Sequence, residues 1–345
     1  MNSAKTDRVD TDPMDAESVK NTDRLKRWLL RGTRVRGSIV SLDRSWQAVL
    51  VRHEAPDCIK QSLGQLCAAG LLLATTIKFD GYLTLQIHGD GPVALFVVEC
   101  EPDGSYRATW RARDGVIISN DANLTELVNC NGQGRFAVTL SPRDKNQKPY
   151  QGIVSFEGSS VALTLEHYMQ RSEQLNTRLW LAGSSQRAVG LLLQQMPSEG
   201  GKEVDATPAS VNLSPPISPD QDSDDDWNRM IHLAQTIAPE ELLSLDSDEI
   251  LRRLFWQEDL LLAEQKTCQF RCQCSRLKVA SMLQMLGHVE VKAIIQEQQQ
   301  IEVKCEFCNT AYRFDGLDAA SLFQADGAPV LINDSILGTN SGLLQ

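Results

Sequence analysis

The sequence predicts an α+β fold with a largely antiparallel sheet, packed helices and a small cysteine-rich module after it. Three observations carry this expectation. Short runs alternate apolar and polar residues between tight turn sequences, as strands joined into hairpins do. The segment Leu63 to Thr76 instead repeats apolar residues at three- and four-residue steps, the mark of a helix with one buried stripe. Strands and helices do not alternate in the regular order that builds a parallel sheet from βαβ units.

Taken in chain order, residues 1–23 are polar and acid-rich without periodicity. Such a composition buries too little apolar surface to offset the entropy of ordering, so a mobile tail is expected. The core is expected over residues 24–197. Its first helix carries Leu63, Leu66, Cys67, Gly70, Leu71 and Ala74 on one stripe, which makes Cys67 a small buried hydrophobe. After Lys78 the period falls to two: Leu83, Leu85 and Ile87 alternate with Thr84 and Gln86 before the turn Gly89-Asp90-Gly91-Pro92. Val93 to Glu99 then leads through Pro102-Asp103-Gly104 to Tyr106, Ala108, Trp110 and Ala112, which alternate with Arg107, Thr109, Arg111 and Arg113. This predicts a hairpin with one basic face. A second hairpin is predicted from Gly134–Leu140 back through Gly152–Phe156, and Ser159 or Ser160 is placed to cap a helix running through Met169. Thr177–Leu181 and Leu191–Gln195 close the block.

Composition changes at Pro197. Residues 198–226 hold four prolines and the acids Asp222, Asp224, Asp225 and Asp226, a solvated insertion or linker. A helical linker region is expected over 227–262, where Pro239-Glu240-Glu241 suits a helix first turn. Its apolar residues, among them Trp227, Ile231, Leu242, Phe255 and Trp256, need a partner surface. The cysteine module follows at 263–315, and a tail at 316–345.

The charge balance narrows function. With 34 Lys+Arg against 45 Asp+Glu the net charge is −11, which disfavours nucleic acid, whose affinity comes from cations placed against phosphates. The longest uncharged stretch, between Lys60 and Lys78, contains Gln61, Ser62, Gly64 and Gln65 and falls short of the roughly 20 apolar residues of a membrane span. The first residues lack the apolar region of a secretory signal. A cytoplasmic location is expected, where cysteines serve as free thiols, metal ligands or redox sensors more often than as structural disulfides.

Five of the nine cysteines crowd together: Cys268, Cys272, Cys274, Cys305 and Cys308. Cys272-Gln273-Cys274 and Cys305-Glu306-Phe307-Cys308 form two close pairs, the donor set of a tetrahedral four-thiolate zinc site. An amphipathic run through Val279, Met282, Leu283 and Leu286 lies between them and can bring the second pair back to the first. Zinc keeps thiolates ionised and close together. An oxidant that converts one to sulfenic acid lets a neighbour attack it, removing two ligands, and a module of about 50 residues is marginal without its metal. A redox switch and a static zinc ribbon share this spacing.

The segments Phe270–Arg276, Val303–Cys308 and Tyr312-Arg313-Phe314 resemble the C-terminal signature of the bacterial thirty-three kilodalton heat-shock chaperones, the redox-regulated holdases. Lys78–Gln86, Gly89-Asp90-Gly91-Pro92, Val97-Val98-Glu99 and Leu192–Pro197 are similar to that family's N-terminal motifs. The resemblance implies an α+β core, a helical linker and a C-terminal zinc domain without a catalytic site. It implies zinc on Cys272, Cys274, Cys305 and Cys308 in an inactive reduced form. It further implies oxidation to the disulfides Cys272–Cys274 and Cys305–Cys308, zinc release, loosening of the linker, formation of a homodimer and ATP-independent binding of unfolding client proteins. Three features depart from the pattern. Cys268 stands outside the matched four as a bystander, a resolving thiol or an alternative ligand; the 198–226 insertion is long; and Val189 stands where the family favours glycine.

Rival readings have less support. Between Ala263 and Asp315 the bases barely outnumber the acids, so a zinc-ribbon nucleic-acid module lacks its basic footprint. A thiol-disulfide oxidoreductase would place Cys-x-x-Cys in a thioredoxin-like βαβ setting, which the surroundings of Cys305 lack. His53, His88, His167, His232 and His288 show no metal spacing, and Gly89-Asp90-Gly91 reads as a turn before a phosphate loop.

Overall fold

A computed structural model describes residues 22–77, 79–144, 146–156, 158–197 and 223–323. The expected tail before residue 22, most of the 198–226 insertion and the chain beyond residue 323 lie outside them. The chain divides into two compact units between Phe270 and Arg271.

In chain order the first unit contains β1 (Arg24–Leu30), β2 (Val35–Leu42), α1 (Arg44–Leu50), α2 (Asp57–Thr76), β3 (Gly81–His88), β4 (Val93–Cys100), β5 (Ser105–Ala112), α3 (Leu124–Val128), β6 (Arg135–Pro142) and β7 (Tyr150–Ser155). It continues with α4 (Val161–Ser172), β8 (Thr177–Gly183), β9 (Ala188–Gln195), α5 (Ser223–Ala234), α6 (Pro239–Ser244), α7 (Ser247–Phe255), β10 (Leu260–Thr267) and β11 (Gln269–Phe270). Two sheets result, in the orders β10-β1-β2-β9-β8 and β11-β5-β4-β3-β6-β7. Every pairing is antiparallel except β11 with β5. The α+β class is as the sequence predicts.

The helix α2 packs against strands of both sheets and forms the centre of the larger core. It begins six residues earlier than its apolar stripe suggests, with Asp57 in the first turn where a carboxylate complements the helix dipole. Backbones approach it closely. A Cβ on Gly183 would stand 2.4 Å from the Gln61 carbonyl oxygen, so that position has room only for glycine.

The five-stranded sheet is covered on both faces. Val40, Leu42, Ala188 and Leu192 face the α2 core, whereas Trp28, Leu30, Val35, Ile39, Val189, Leu191 and Leu193 meet Trp227, Met230, Leu242, Ile250, Leu254 and Phe255 of α5–α7. A strand buried on both sides needs no alternation, which is why Leu191-Leu192-Leu193 is continuous. Val189 belongs to this second layer, in an ordinary extended strand. The Phe255 and Trp28 rings lie 6.2 Å apart. Arg187, in the turn between β8 and β9, donates to the carbonyls of Leu243 and Leu245 at 2.9 and 3.0 Å, and Lys26 pairs with Asp248. Both contacts fasten the helices to the sheet.

Several boundaries differ from expectation. Asp23, assigned to the mobile tail, is buried; its carboxylate accepts the backbone N–H groups of Asp43, Arg44 and Ser45 and so caps α1, while its carbonyl accepts from Cys268. The acids Asp224, Asp225 and Asp226 are in the first turn of α5, where the dipole favours them, and not in a linker. The expected limit at 262/263 falls inside β10, which pairs along β1 from Thr267 opposite Arg24 to Leu260 opposite Leu30. Trp256, expected to be covered, is 73% exposed. The basic face of β5 is not a free patch: Arg107 pairs with Glu99 at 2.8 Å and Arg113 donates to the Gly91 carbonyl at 2.9 Å.

The second unit contains α8 (Arg276–Leu286), α9 (His288–Gln298), β12 (Ile301–Lys304), β13 (Ala311–Phe314) and α10 (Gly316–Leu322). Its core is thin: Ala280, Leu283, Val291, Ile301, Phe314 and Ala319. Of the amphipathic run, Leu283 is buried and Val279 packs against the core, but Met282 and Leu286 are exposed, so the buried stripe runs through Ala280 instead. Residues 316–322, expected in the tail, form α10 because Asp315 caps it by accepting from the Asp318 N–H at 2.8 Å.

Candidate metal centre

Two local structures deliver the cysteines. Cys272 and Cys274 precede α8, whose start is fixed by Ser275: its side chain accepts from the Lys278 N–H. Cys305 and Cys308 occupy the turn between β12 and β13. There the Cys305 N–H donates to Thr310 O at 3.0 Å and the Asn309 N–H to Cys305 O at 2.8 Å. Asn309 adopts φ 58°, a left-handed conformation that asparagine tolerates better than most residues. The strand register, Val303 opposite Tyr312 and Lys304 opposite Ala311, holds the turn closed.

The four sulfur atoms lie within 4.8 Å of one another. The Cys272 and Cys305 sulfurs are 3.6 Å apart and those of Cys274 and Cys308 3.3 Å apart. A tetrahedron of thiolates around zinc, with bonds of about 2.3 Å, has edges of roughly 3.8 Å, so the donor set fits such an ion in type, number and spacing. Among the described residues this is the one group of three or more Cys, His, Asp or Glu donors placed to hold a metal. The five histidines are not part of it.

The thiols differ in environment. Burial raises Cys274, as do its hydrogen bonds with Cys308 and Cys272, against the lowering effect of the Tyr312 hydroxyl, and together they push it up to about 12. Burial acts in the same sense on Cys308, but its hydrogen bonds with the Thr310 side chain and backbone, then with Cys274 and Cys272, outweigh it and bring that thiol down to about 7. Cys305 is raised, first by burial. The Tyr312 hydroxyl donates to the Cys274 sulfur at 3.1 Å. Sequence reasoning singled out Tyr312 only as part of a matched segment, and Thr310 not at all. Arg276 braces the site from behind, stacked 4.2 Å from the Phe314 ring and bonded to Asp318 at 2.7 Å.

Cys268 is not among the four grouped donors. It is buried in the core of the first unit, where desolvation and then the Asp23 carboxylate push it up to about 12. Cys58, Cys67 and Cys100 are likewise buried. The Gly89–Gly91 turn is closed by Asp90, whose carboxylate accepts from the N–H groups of Asn131 and Gln133. Among the described residues, no helix is long and apolar enough to cross a membrane.

Fold and site together define a two-part protein: an α+β body with an applied layer of helices, and a small module organised on four thiols. The family model described as Hsp33 protein matches residues 23–315. A 33 kDa chaperonin of Methylobacillus flagellatus is 44% identical over 309 residues, covering 88% of this chain and 96% of its own length. That of Chromobacterium violaceum is 43% identical over 311 residues, covering 90% and 96%. The crystal structure of a 33 kDa chaperonin, a heat shock protein 33 homolog from Thermotoga maritima, shares the fold with a TM-score of 0.69 at 20% identity, covering 87% of this chain and 97% of its own. The chain belongs to the Hsp33 family.

Proposed function

We propose that the protein is a redox-regulated, ATP-independent holdase, compact and inactive while Cys272, Cys274, Cys305 and Cys308 hold zinc. The observation that carries this reading is the four-thiol cluster, which gathers the segment before α8 and the β12–β13 turn at one point of a thinly cored unit. When bound, zinc would supply charge neutralisation for four adjacent thiolates, and with four protein ligands it leaves no open position for hydrolytic chemistry.

The residues then act in order. A thiolate attacks peroxide; the S–O bond forms as O–O breaks and hydroxide leaves. A neighbouring thiolate displaces hydroxide from the sulfenic sulfur and forms a disulfide, Cys272 with Cys274 and Cys305 with Cys308 in the pairing that the resemblance implies. Each disulfide takes two donors from the site. The module then loses its main tie. It is joined directly to β11 and β10, and through them to α5–α7, so its unfolding frees these helices to leave the sheet. The uncovered face, with Trp28, Val35, Ile39, Leu191 and Leu193, is the surface on which unfolding clients or a second copy of the chain would settle. The reading needs no catalytic residue, no nucleic acid and no membrane, and it places the protein in the cytoplasm.

The test is metal analysis and suppression of citrate synthase aggregation on one sample, reduced and then treated with peroxide, without ATP. One zinc per chain when reduced, loss of zinc and gain of suppression when oxidised, and loss of zinc in Cys305→Ser are expected. Full zinc retention in Cys305→Ser, or equal suppression in both states, overturns the reading.

A further inference from the structure

We infer that Tyr312 is a positioning residue that sets how readily the thiol centre is oxidised, a conclusion that rests on the metal-holding reading above. Tyr312 is on β13, in the hairpin that carries Cys305 and Cys308, yet its hydroxyl donates to Cys274, which belongs to the other pair. This hydrogen bond joins the two halves of the site alongside the sulfur–sulfur contacts. The ring packs against the small core of the second unit, and the backbone is fixed by the pairing with Val303, so the hydroxyl is held at the sulfur by the fold.

Its chemical effect follows from where the proton points. The sulfur lone pair that accepts the Tyr312 proton is electron density withdrawn from attack on an oxidant. Peroxide oxidation of Cys274 requires that sulfur to donate a pair to oxygen, with S–O forming, O–O breaking and hydroxide leaving. A donor on the sulfur lowers its nucleophilicity and stabilises the thiolate in place as a ligand. Outer hydrogen bonds of this kind typically change metal affinity by about 10- to 100-fold when removed.

The experiment compares the full-length parent chain, Tyr312→Phe and Arg313→Ala. The last removes a side chain on the same strand that bonds Glu302 and not a cysteine. Each is reduced, loaded with zinc and challenged with hydrogen peroxide at fixed pH while zinc release is followed with a chromogenic chelator. Tyr312→Phe is expected to release zinc about tenfold faster, with Arg313→Ala matching the parent. In cobalt-loaded samples Tyr312→Phe should move the sulfur-to-metal charge-transfer band to longer wavelength, because a sulfur without a hydrogen-bond donor gives up charge more easily; a purely structural role would not shift it in this sense. If the phenylalanine variant does not load metal, 3-fluorotyrosine in place of Tyr312, a stronger donor, should slow release relative to the parent. Unchanged release and an unchanged band in Tyr312→Phe, equal acceleration in Arg313→Ala, or faster release with fluorotyrosine overturns the inference. A parent chain that neither loads zinc nor loses it to peroxide instead overturns the metal-holding reading itself.

Discussion

Replacing Arg187 by methionine keeps an apolar stem but deletes the guanidinium that fastens the applied helices to the sheet. The guanidinium donates to Leu243 O and Leu245 O, to Ser41 Oγ at 2.7 Å, and pairs with Asp43 at 2.7 Å. Only the first two contacts break when α6 and α7 lift away, because Ser41 and Asp43 belong to the body. Hydrogen bonds to a charged donor contribute about 1.5–3 kcal/mol each, and carbonyls that regain water on opening belong at the lower end. Two such bonds give about 3 kcal/mol, roughly a hundredfold in the opening equilibrium at 1.4 kcal/mol per tenfold. Native-state hydrogen exchange under reducing conditions reads this directly. The amides of Leu245 and Ile250, bonded to Glu241 O and Asp246 O, should exchange about a hundredfold faster in Arg187→Met, while amides of β3 and β4 keep their protection. Exchange of Leu245 and Ile250 within about threefold of the parent would refute the assignment of Arg187 as the fastening.

Two further outcomes are expected. Burial would raise Glu264, but its bonds to Lys266 and Arg27 hold it below its usual 4.5; a depressed carboxylate stabilises the fold above its unfolded pKa and loses that contribution as pH falls through its folded one. Acid unfolding followed by circular dichroism should therefore show the parent more stable than Glu264→Gln at pH 6, with the gap closing below pH 4.5, and a gap independent of pH contradicts the pairing. In Gly183→Ala the new methyl meets the Gln61 carbonyl, and chemical denaturation should show a loss of about 1–3 kcal/mol, against no loss if α2 can shift.

Much of this architecture is legible in the chain because its signals are local. Four cysteines in two close pairs, and Ser160 at the start of α4, declare themselves within a few residues. What stayed hidden depends on partners distant in sequence. Leu260-Leu261-Leu262 reads as an extension of the preceding helices, and only β1, more than 200 residues earlier, makes it a strand. Asp23 looks like one more acid of a polar tail until the bare N–H groups of α1 are placed above it. Trp256 has the hydrophobicity of a core residue, but it follows the last turn of α7 and points away from the sheet face that Phe255 fills. Tyr312 could be matched but not assigned a task, because its target sulfur is 38 residues away.

The position of β1 has a consequence for synthesis. It lies between β2, its neighbour in sequence, and β10, which is made last of all the strands in its sheet. At ribosomal rates of about 5–20 residues per second, several seconds separate the completion of β9 from the appearance of β10. During that interval the nascent body has an open edge at β1 and an uncovered apolar face behind it. Arg24, Lys26 and Arg27 along β1 set positive charge on that edge, which discourages pairing with a neighbouring chain on the same polysome until the proper strand arrives.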